Sequence, residues 1–255
     1  MKPATSLRQA AALAAVVALA LLACKKKAPA PKPVPTLAPK PVSTGPCPNG
    51  HSIDPKPGEF RPSQTAFKDK RYDEAQMLLD HLIKNYPHSA TLRVWRGDAA
   101  LFERHLSDGK KKYQKAADDA LVFYNEAEKL HNQECTLPEI EHYYLRMDSA
   151  YAYLRKGDAD SALTQLEIAK KHWSNSAEVF YTLARAYCLK KDVDQCADNF
   201  KQALVIAKAL RRPRFLRTHR SLDDWIHRSR RQSEFGPLRR DKRYREIIKK
   251  VNEDN

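Results

Sequence analysis

Apolar residues in the middle of the chain recur at a helical spacing. From Ala90 onward, Leu92, Trp95, Ala99 and Phe102 are separated by three, four and three positions, which places them on one face of a helix. The pattern predicts an amphipathic helix that begins near Ala90 and buries this face against a neighbouring helix.

A longer periodicity is superimposed on the helical one, because six pairs of residues stand 34 positions apart. The pairs are Ala150 with Ala184, Tyr153 with Tyr187, Asp158 with Asp192, Ala162 with Cys196, Leu166 with Phe200, and Ala169 with Ala203. This period resembles that of the tetratricopeptide repeat, in which each repeat is a pair of antiparallel helices. The resemblance implies stacked helical hairpins that share a continuous core.

The repeat family has small residues at positions 8, 20 and 27 and larger apolar residues at positions 4, 7, 11 and 24. Residues 177–210 fit this pattern closely and supply, in order, Phe180, Leu183, Ala184, Tyr187, Cys196, Phe200 and Ala203. Residues 143–176 fit less well, because Arg146 and Ser149 stand at the apolar positions 4 and 7. We therefore expect the first helix of this repeat to pack irregularly.

Two more repeats are weaker. Residues 72–87 resemble the second helix and terminal proline of a repeat, and Pro62 predicts that the helix before it is short. The second helix of the repeat that begins at Ala90 would carry Ala120, Tyr124 and Ala127 at positions 20, 24 and 27. This assignment requires about 11 extra residues in the hairpin. With this insertion, residues 59–210 are predicted to form an all-α, tetratricopeptide-like solenoid of four helical hairpins.

The charge is distributed unevenly along the chain, whose formal net charge is +15. Residues 59–210 contain 23 basic and 23 acidic residues, whereas residues 211–250 contain 15 basic and five acidic residues. In the basic part, Ser221 and Asp224 have the spacing of a capping box that opens a helix. Because the open end of a solenoid must be covered, residues 211–255 are predicted to form a basic C-terminal helical cap.

The first 23 residues have the pattern of a secretory signal peptide, in which Lys2 and Arg8 precede an uncharged run from Ala10 to Ala23. This run of 14 residues is shorter than the roughly 20 apolar residues that a membrane-spanning helix needs. We therefore expect cleavage of the segment rather than a transmembrane helix.

The sequence Leu21-Leu22-Ala23-Cys24 resembles the lipobox of bacterial lipoproteins. The resemblance implies that the chain is cut before Cys24 and that this cysteine carries acyl chains such as palmitate. Lys25 occupies the position where an aspartate would mark retention at the inner membrane, which favours the outer membrane, facing the periplasm. Residues 24–58 would follow the anchor as a disordered linker, because residues 25–58 contain 10 prolines, six lysines and almost nothing to bury.

No catalytic signature is present, and the seven glycines do not form a phosphate-binding loop. We predict that the protein is not an enzyme and uses no cofactor. Nine histidines are scattered along the chain without the spacing of metal ligands, so no metal site is predicted.

Four cysteines remain when Cys24 is set aside, and an exported protein meets an oxidising compartment in which pairs tend to close. Cys188 and Cys196 are eight residues apart across a tight helical hairpin, within the reach of a disulfide. Cys47 and Cys135 would then pair by elimination. Alternatively, Cys196 is only the small residue that position 20 requires.

The resemblance also implies a binding groove, because first-helix positions 2, 5, 9, 12 and 13 line the inner face in this repeat family. Those positions hold Tyr144, Met147, Tyr151, Leu154 and Arg155 in one repeat, and Glu178, Tyr181, Arg185, Cys188 and Leu189 in the next. Tyrosine and arginine are typical anchors for a bound peptide. The alternative is that these tyrosines only contact a neighbouring helix.

The basic cap provides a second candidate surface, whose anion-binding residues would be Arg211, Arg212, Arg214, Arg217, Arg228, Arg230, Arg231, Arg239 and Arg240. The main hypothesis is a lipid-anchored scaffold of the cell envelope that binds partner proteins through the repeat groove. Outer-membrane protein assembly, pilus and motility machines are the candidate systems. The alternative is a module that binds an anionic glycolipid or cell-wall polymer through the basic cap. An exported protein isn't expected to bind nucleic acid.

Overall fold

The computed structural model describes residues 54–103, 109–132, 136–209 and 221–253, which are 85% helical and form 11 α-helices. The helices are α1 (Pro57–Lys68), α2 (Tyr72–Asn85), α3 (Ala90–Phe102), α4 (Gly109–Asn132), α5 (Glu139–Lys156), α6 (Ala159–His172), α7 (Ala177–Leu189), α8 (Val193–Ala209), α9 (Leu222–Arg231), α10 (Gly236–Arg240) and α11 (Lys242–Glu253). The predicted all-α fold of helical hairpins is confirmed. The predicted signal peptide 1–23 and most of the predicted linker 24–58 lie outside the described residues.

Helices α1 to α8 form four successive hairpins, and each hairpin packs on the next. The apolar core is continuous because neighbouring clusters share helices: one joins α1, α2 and α3, the next α3, α4 and α5, the third α5, α6 and α7, and the last α7, α8 and the C-terminal helices. This is the arrangement of a solenoid, in which each unit buries its apolar face only against its neighbours. None of the described helices combines the length and the hydropathy that crossing a bilayer requires.

The 34-residue period is visible in the backbone as well as in the sequence. Gly157, between α5 and α6, and Lys191, between α7 and α8, both adopt left-handed conformations, with φ of 84° and 64°. Lys70 takes the same role between α1 and α2, with φ of 61°. Glycine adopts this conformation without strain, whereas the two lysines are held in it by the packing of the two helices that each of them connects.

Polar side chains fix where three of the helices begin. Ser89, Asp158 and Ser176 precede α3, α6 and α7, and each accepts a hydrogen bond from the backbone N–H three residues later. These contacts satisfy amide groups that have no partner inside the helix. Two of the four hairpins therefore begin after a serine cap. Ser89 precedes Ala90, the predicted first residue of α3, and Ser176 precedes Ala177, the first residue of α7.

The prediction of a short first helix was wrong, because α1 begins at Pro57 and continues through Pro62 for 12 residues in all. Pro62 is exposed and lies in the second turn, where the lost N–H costs one backbone hydrogen bond. Phe60, Ser63 and Ala66 of the same helix are buried. Their packing against α2 and α3 outweighs the unfavourable proline.

The insertion in the second hairpin lengthens a helix, since α4 runs for 24 residues from Gly109. Ala120, Tyr124 and Ala127 are buried against α3, in the register that the inserted residues predict. The extra residues therefore lengthen α4 by added helical turns.

Helix α5 packs in the regular position despite the polar residues that predicted irregular packing. Arg146 is only 4% exposed, and its Nη1 donates to Oε1 of Glu128 at 2.6 Å and to Oε1 of Gln165 at 2.7 Å. A buried charge is tolerated when it is paired and hydrogen-bonded in this way. Arg146 thus joins α4, α5 and α6 where the repeat pattern would have an apolar residue.

The C-terminal helices cover the last hairpin, as predicted for a cap. Trp225, Phe235 and Leu238 are fully buried against α7 and α8, and Tyr244 stacks on Phe200 with ring centroids 5.6 Å apart. The predicted capping box is present at the start of α9: Ser221 and Asp224 exchange hydrogen bonds through their side chains and backbone amides.

We expect Gly97→Ala to destabilise the protein, although alanine is normally the better helix former. A Cβ atom at this position of α3 would lie 2.4 Å from Cε1 of the buried Tyr124 ring. Overpacking of this kind costs on the order of 1–3 kcal/mol of the free energy of unfolding. Urea denaturation followed by circular dichroism measures the change.

Gly58→Ala is the matched control, since a Cβ atom at Gly58 would meet nothing within 4 Å. We expect this variant to be as stable as the wild type or slightly more stable. A Gly97→Ala protein that unfolds at the wild-type urea concentration would show that the close contact between α3 and α4 does not limit stability.

Candidate functional site

The predicted inner face is only partly open on α5. Tyr144, Tyr151 and Arg155 are half-buried, whereas Met147 and Leu154 are 1% and 5% exposed. The two apolar residues belong to the core between α5 and α7 and do not line an open groove. The accessible part of this face is therefore two tyrosines and one arginine.

A buried carboxylate connects this face to the next hairpin. Oε1 of Glu178 accepts from the hydroxyl of Tyr151 at 2.9 Å, and Oε2 accepts from the hydroxyl of Tyr143 at 3.1 Å. Burial, together with the negative charge of Glu178, raises the pKa of Tyr143 well above its ordinary value. Tyr143 therefore remains a hydrogen-bond donor, and Glu178 ties α7 to α5.

Two arginines extend the polar contacts along the face. Arg155 donates from its guanidinium to the backbone carbonyl of Leu101 at the end of α3. The guanidinium of Arg185, on α7, lies 5.4 Å from the centre of the Tyr151 ring, within the range of a cation–π contact. Tyr151 on α5 thus contacts Glu178 and Arg185 on α7, and Arg155 connects the same face to the end of α3.

On α7, the predicted groove is covered by the chain's own C-terminal segment. Tyr181 is 1% exposed, and its ring centroid lies 4.5 Å from that of Trp225 and 5.1 Å from that of Phe235. Its hydroxyl donates to Oε1 of Gln232 at 2.8 Å, and burial raises its pKa. The alternative stated from the sequence, that a groove tyrosine contacts a neighbouring helix, describes Tyr181 correctly.

Arg185 is also engaged by the C-terminal segment. Its Nη2 and Nε donate to Oε1 of Glu234 at 2.6 and 3.2 Å, and both side chains are largely buried, at 11% and 16% exposed. Burial alone would raise the pKa of Glu234, but the charge and hydrogen bonds of Arg185 hold it below its ordinary value. Tyr181 and Arg185 are therefore not available as an open groove wall in this structure.

The last two groove positions of α7 have different environments. Cys188 is buried and forms a disulfide with Cys196, with their Cα atoms 5.1 Å apart, while Leu189 is half-buried. The disulfide ties the end of α7 to the start of α8. Cys24, Cys47 and Cys135 lie outside the described residues.

The arginines predicted to bind anions divide into two groups. Arg239 donates to the carbonyls of Ser229 and Gln232 at 2.8 and 2.6 Å, and Arg228 lies 5.9 Å from the centre of the Trp225 ring. Both therefore have contacts inside the cap. The outward group is exposed and consists of Arg230, Arg231 and Arg240. Arg211, Arg212, Arg214 and Arg217 lie outside the described residues.

Sequence reasoning missed two groups of residues that the fold brings together. Gln232 and Glu234 follow Tyr181 and Arg185 by 51 and 49 positions, and no repeat or motif relates them. Three histidines also converge at the start of α5, although no local spacing indicates it. In the part of the chain that the structure describes, no group of three or more His, Cys, Asp or Glu residues is arranged to hold a metal ion.

The comparison with known families agrees with this geometry. A sequence model for the tetratricopeptide repeat matches residues 63–89, which extend from the middle of α1 to the residue that caps α3. No curated protein matches the chain. Such repeats typically mediate protein–protein interactions and are generally non-catalytic, and no enzyme family is indicated. The match confirms the predicted resemblance for the first hairpin and indicates a protein-interaction scaffold.

We expect Glu234→Gln to loosen the C-terminal cap at neutral pH. The substitution keeps a hydrogen-bonding oxygen but leaves the largely buried Arg185 without its counter-charge, which costs about 1–3 kcal/mol of the free energy of unfolding. Because the pKa of Glu234 is lowered on folding, its contribution is present above the ordinary glutamate pKa and is lost as the pH falls below it. Thermal or urea denaturation at pH 7 and pH 3 measures both effects.

Glu167→Gln is the control, since the ion pair of Glu167 with Lys170, at 3.7 Å, is exposed on both sides. Its effect should stay within about 0.5 kcal/mol at either pH. Equal stability of the Glu234→Gln and wild-type proteins at pH 7 would mean that the ion pair does not hold the cap.

Proposed function

We propose that the protein is a lipid-anchored scaffold of the bacterial cell envelope that holds partner proteins on its helical hairpins. The observation that carries the proposal is the row of Tyr144, Tyr151 and Arg155 on α5, which is partly exposed and belongs to an array that resembles a family of interaction scaffolds. Tyrosine provides a large contact area together with a hydroxyl, and arginine provides a forked donor. An extended or helical peptide segment suits such a face.

The position of the cap supports a binding face in the middle of the array. Because the C-terminal segment covers Tyr181 and Arg185 on α7, the partly exposed tyrosines and arginine of the predicted groove lie on α5. The partner therefore contacts the middle of the array. Machines that assemble outer-membrane proteins, pili or motility complexes are the candidate systems.

The N-terminal sequence supports the anchor and the location. A lipobox-like Cys24 after a cleavable segment would attach the protein to the outer membrane, facing the periplasm. Several acyl chains give a stable anchor, since each buried methylene contributes about 0.8 kcal/mol. The proline-rich residues 25–58 would then hold the array on the order of 100 Å from the bilayer, at roughly 3.1 Å per residue.

Replacing the proposed lipidation site tests the anchor directly. Cys24→Ser removes the thiol that would carry the acyl chains, so the protein should move from the membrane fraction to the soluble fraction. Mass spectrometry of the wild-type protein should find acyl mass on a chain that begins at Cys24. Membrane sedimentation of a Cys24→Ser protein without acyl mass would defeat the lipoprotein interpretation.

A second candidate function rests on the exposed arginines of the cap. Arg230, Arg231 and Arg240 are exposed and have no carboxylate within ion-pair distance among the described residues. Exposed arginines attract anionic polymers or headgroups. The ligand would be a cell-wall polymer or a glycolipid, and the repeats would be its support.

One capture experiment separates the two functions. The full chain, immobilised through its C-terminus, is incubated with solubilised envelope proteins at low and at high salt, and the captured proteins are identified by mass spectrometry. A Tyr144→Ala/Arg155→Ala variant should lose a discrete partner that the wild type retains in high salt. The matched control is Met77→Ala/Val122→Ala, which changes two apolar residues that are 57% and 55% exposed on the second helices.

The charge-reversed variant Arg230→Glu/Arg231→Glu completes the design. If this variant alone loses binding, and wild-type binding to polyphosphate also disappears in high salt, the polyanion function is the better account, because salt screens exposed charges. If capture is equal for all variants, neither surface carries the recognition. Circular dichroism first shows that each variant is folded.

A further inference from the structure

Three imidazole rings meet where the second hairpin contacts the third. His131 lies in the last turn of α4, His142 in the first turn of α5, and His172 is the last residue of α6. The ring centroids of His131 and His142 are 4.5 Å apart, and those of His142 and His172 are 5.8 Å apart. His142 is the central ring of the cluster.

Two of these rings accept hydrogen bonds, which an imidazole does only through an unprotonated nitrogen. Nδ1 of His131 accepts from the backbone N–H of Leu137 at 3.0 Å. Nε2 of His142 accepts from Nε of Arg146 at 3.2 Å. Both contacts require a neutral ring, and protonation of either ring turns an acceptor into a donor that faces another donor.

The groups that face His142 are predominantly basic. Arg146 on α5 is buried, His131 approaches from α4, and His172 approaches from α6. Glu128 on α4 is the nearby carboxylate, and it already accepts from Arg146 at 2.6 Å. Protonation of these rings would therefore place further positive charge beside Arg146, and Glu128 already pairs with that arginine.

A second carboxylate of the junction, Glu139, is engaged by Trp173. Oε1 of Glu139 accepts from Nε1 of Trp173 at 3.4 Å, and the Trp173 ring packs edge-on against His142 with centroids 5.4 Å apart. Trp173 is buried, so its indole separates this part of the junction from water. The environment favours a neutral His142.

We propose that the cluster of His131, His142 and His172 forms a proton-sensitive contact between the second and third hairpins, which loosens when His131 and His142 become protonated. The inference stands apart from the proposed function, because it rests on contacts inside the array. Tyr143 directly follows His142 and donates to Glu178, so a change at His142 is transmitted to the inner face of α5. Acidification would thus change the spacing of the hairpins and the face that they present.

The direction of the pH dependence follows from the change in proton binding. Burial, together with the charges of His131, Arg146 and His172, lowers the pKa of His142 to about 4, and burial and Arg146 lower the pKa of His131. A histidine in the detached state titrates near 6.5. The closed contact is therefore fully favoured above about pH 6.5 and is progressively lost as the pH falls from there toward 4.

Hydrogen exchange of the full chain, read by mass spectrometry at pH 7 and pH 5, tests the proposal. After correction for the intrinsic pH dependence of exchange, backbone amides of residues 128–146 should exchange faster at pH 5. The expected increase is about 20-fold for one histidine whose pKa moves from about 6.5 to about 4. Amides in the cores of α2 and α7 should change much less.

His142→Gln is the informative variant, because its amide oxygen can still accept from Arg146 but does not titrate. We expect the acceleration to fall below about threefold in this variant. His227→Gln changes an exposed histidine outside the cluster and should keep the wild-type response. NMR titration of the wild-type imidazoles gives a second measurement that does not depend on the folding of any variant.

Several outcomes would overturn the proposal. The proposal is wrong if His142 titrates at or above pH 6.5. It is also wrong if residues 128–146 show no faster exchange at pH 5, or if α2 and α7 accelerate equally. A folded His142→Gln protein that keeps the full pH response would contradict it as well. A depressed His142 titration together with a local acceleration that the variant abolishes supports it.

Discussion

The close approach of the two helices in each hairpin is the constraint on which the array depends. Small residues stand at the two facing positions, 8 and 20, in all four hairpins, and all of them are buried: Ser63 with Ala75, Gly97 with Ala120, Ala150 with Ala162, and Ala184 with Cys196. Their size lets the backbones approach, so that the large residue at position 24 fills the space between the hairpins. That residue is Leu79, Tyr124, Leu166 or Phe200, and each is at most 1% exposed.

The end of the array is closed by a contact of a different kind. Tyr181, Trp225 and Phe235 form an aromatic cluster that no repeat position specifies, and the Arg185–Glu234 ion pair lies beside it. The aromatic contacts bury a large apolar area, whereas the ion pair fixes which way the 3₁₀ turn at residues 233–235 faces. The cap therefore ends the solenoid and also shortens its open inner face.

Most of the fold could be predicted because its determinants are local and periodic. Small residues at a fixed interval and apolar faces at helical spacing indicate the hairpins from the sequence alone. The same pattern predicts the position of Tyr124 in the second hairpin once the insertion is allowed for. The length of α1 could not be predicted, because the effect of Pro62 depends on whether the helix still buries Phe60. The helix does bury it, against residues of α2 and α3.

The candidate site was less predictable, because its contacts join residues with no periodic relation. Whether Tyr181 is a groove wall or a core residue depends on Gln232 and Phe235, about 50 positions further along the chain. Likewise, His131, His142 and His172 are 11 and 30 residues apart, and only the stacking of three helices brings their rings together. A positional rule taken from a repeat family identifies which residues face inward, but the contacts of the particular chain decide which of them remain accessible.

The basic residues of the C-terminal segment show which part of its charge the fold requires. Arg243 donates to Asp194 at 2.6 Å and to Asp241 at 2.8 Å, and its hydrogen bonds hold the pKa of Asp241 at about 2. Arg239 binds two backbone carbonyls. These two arginines are structural. Arg230 and Arg231 are exposed and make no ion pair with the described carboxylates. Their charge is the part of the segment that a polyanion of the second proposed function would contact.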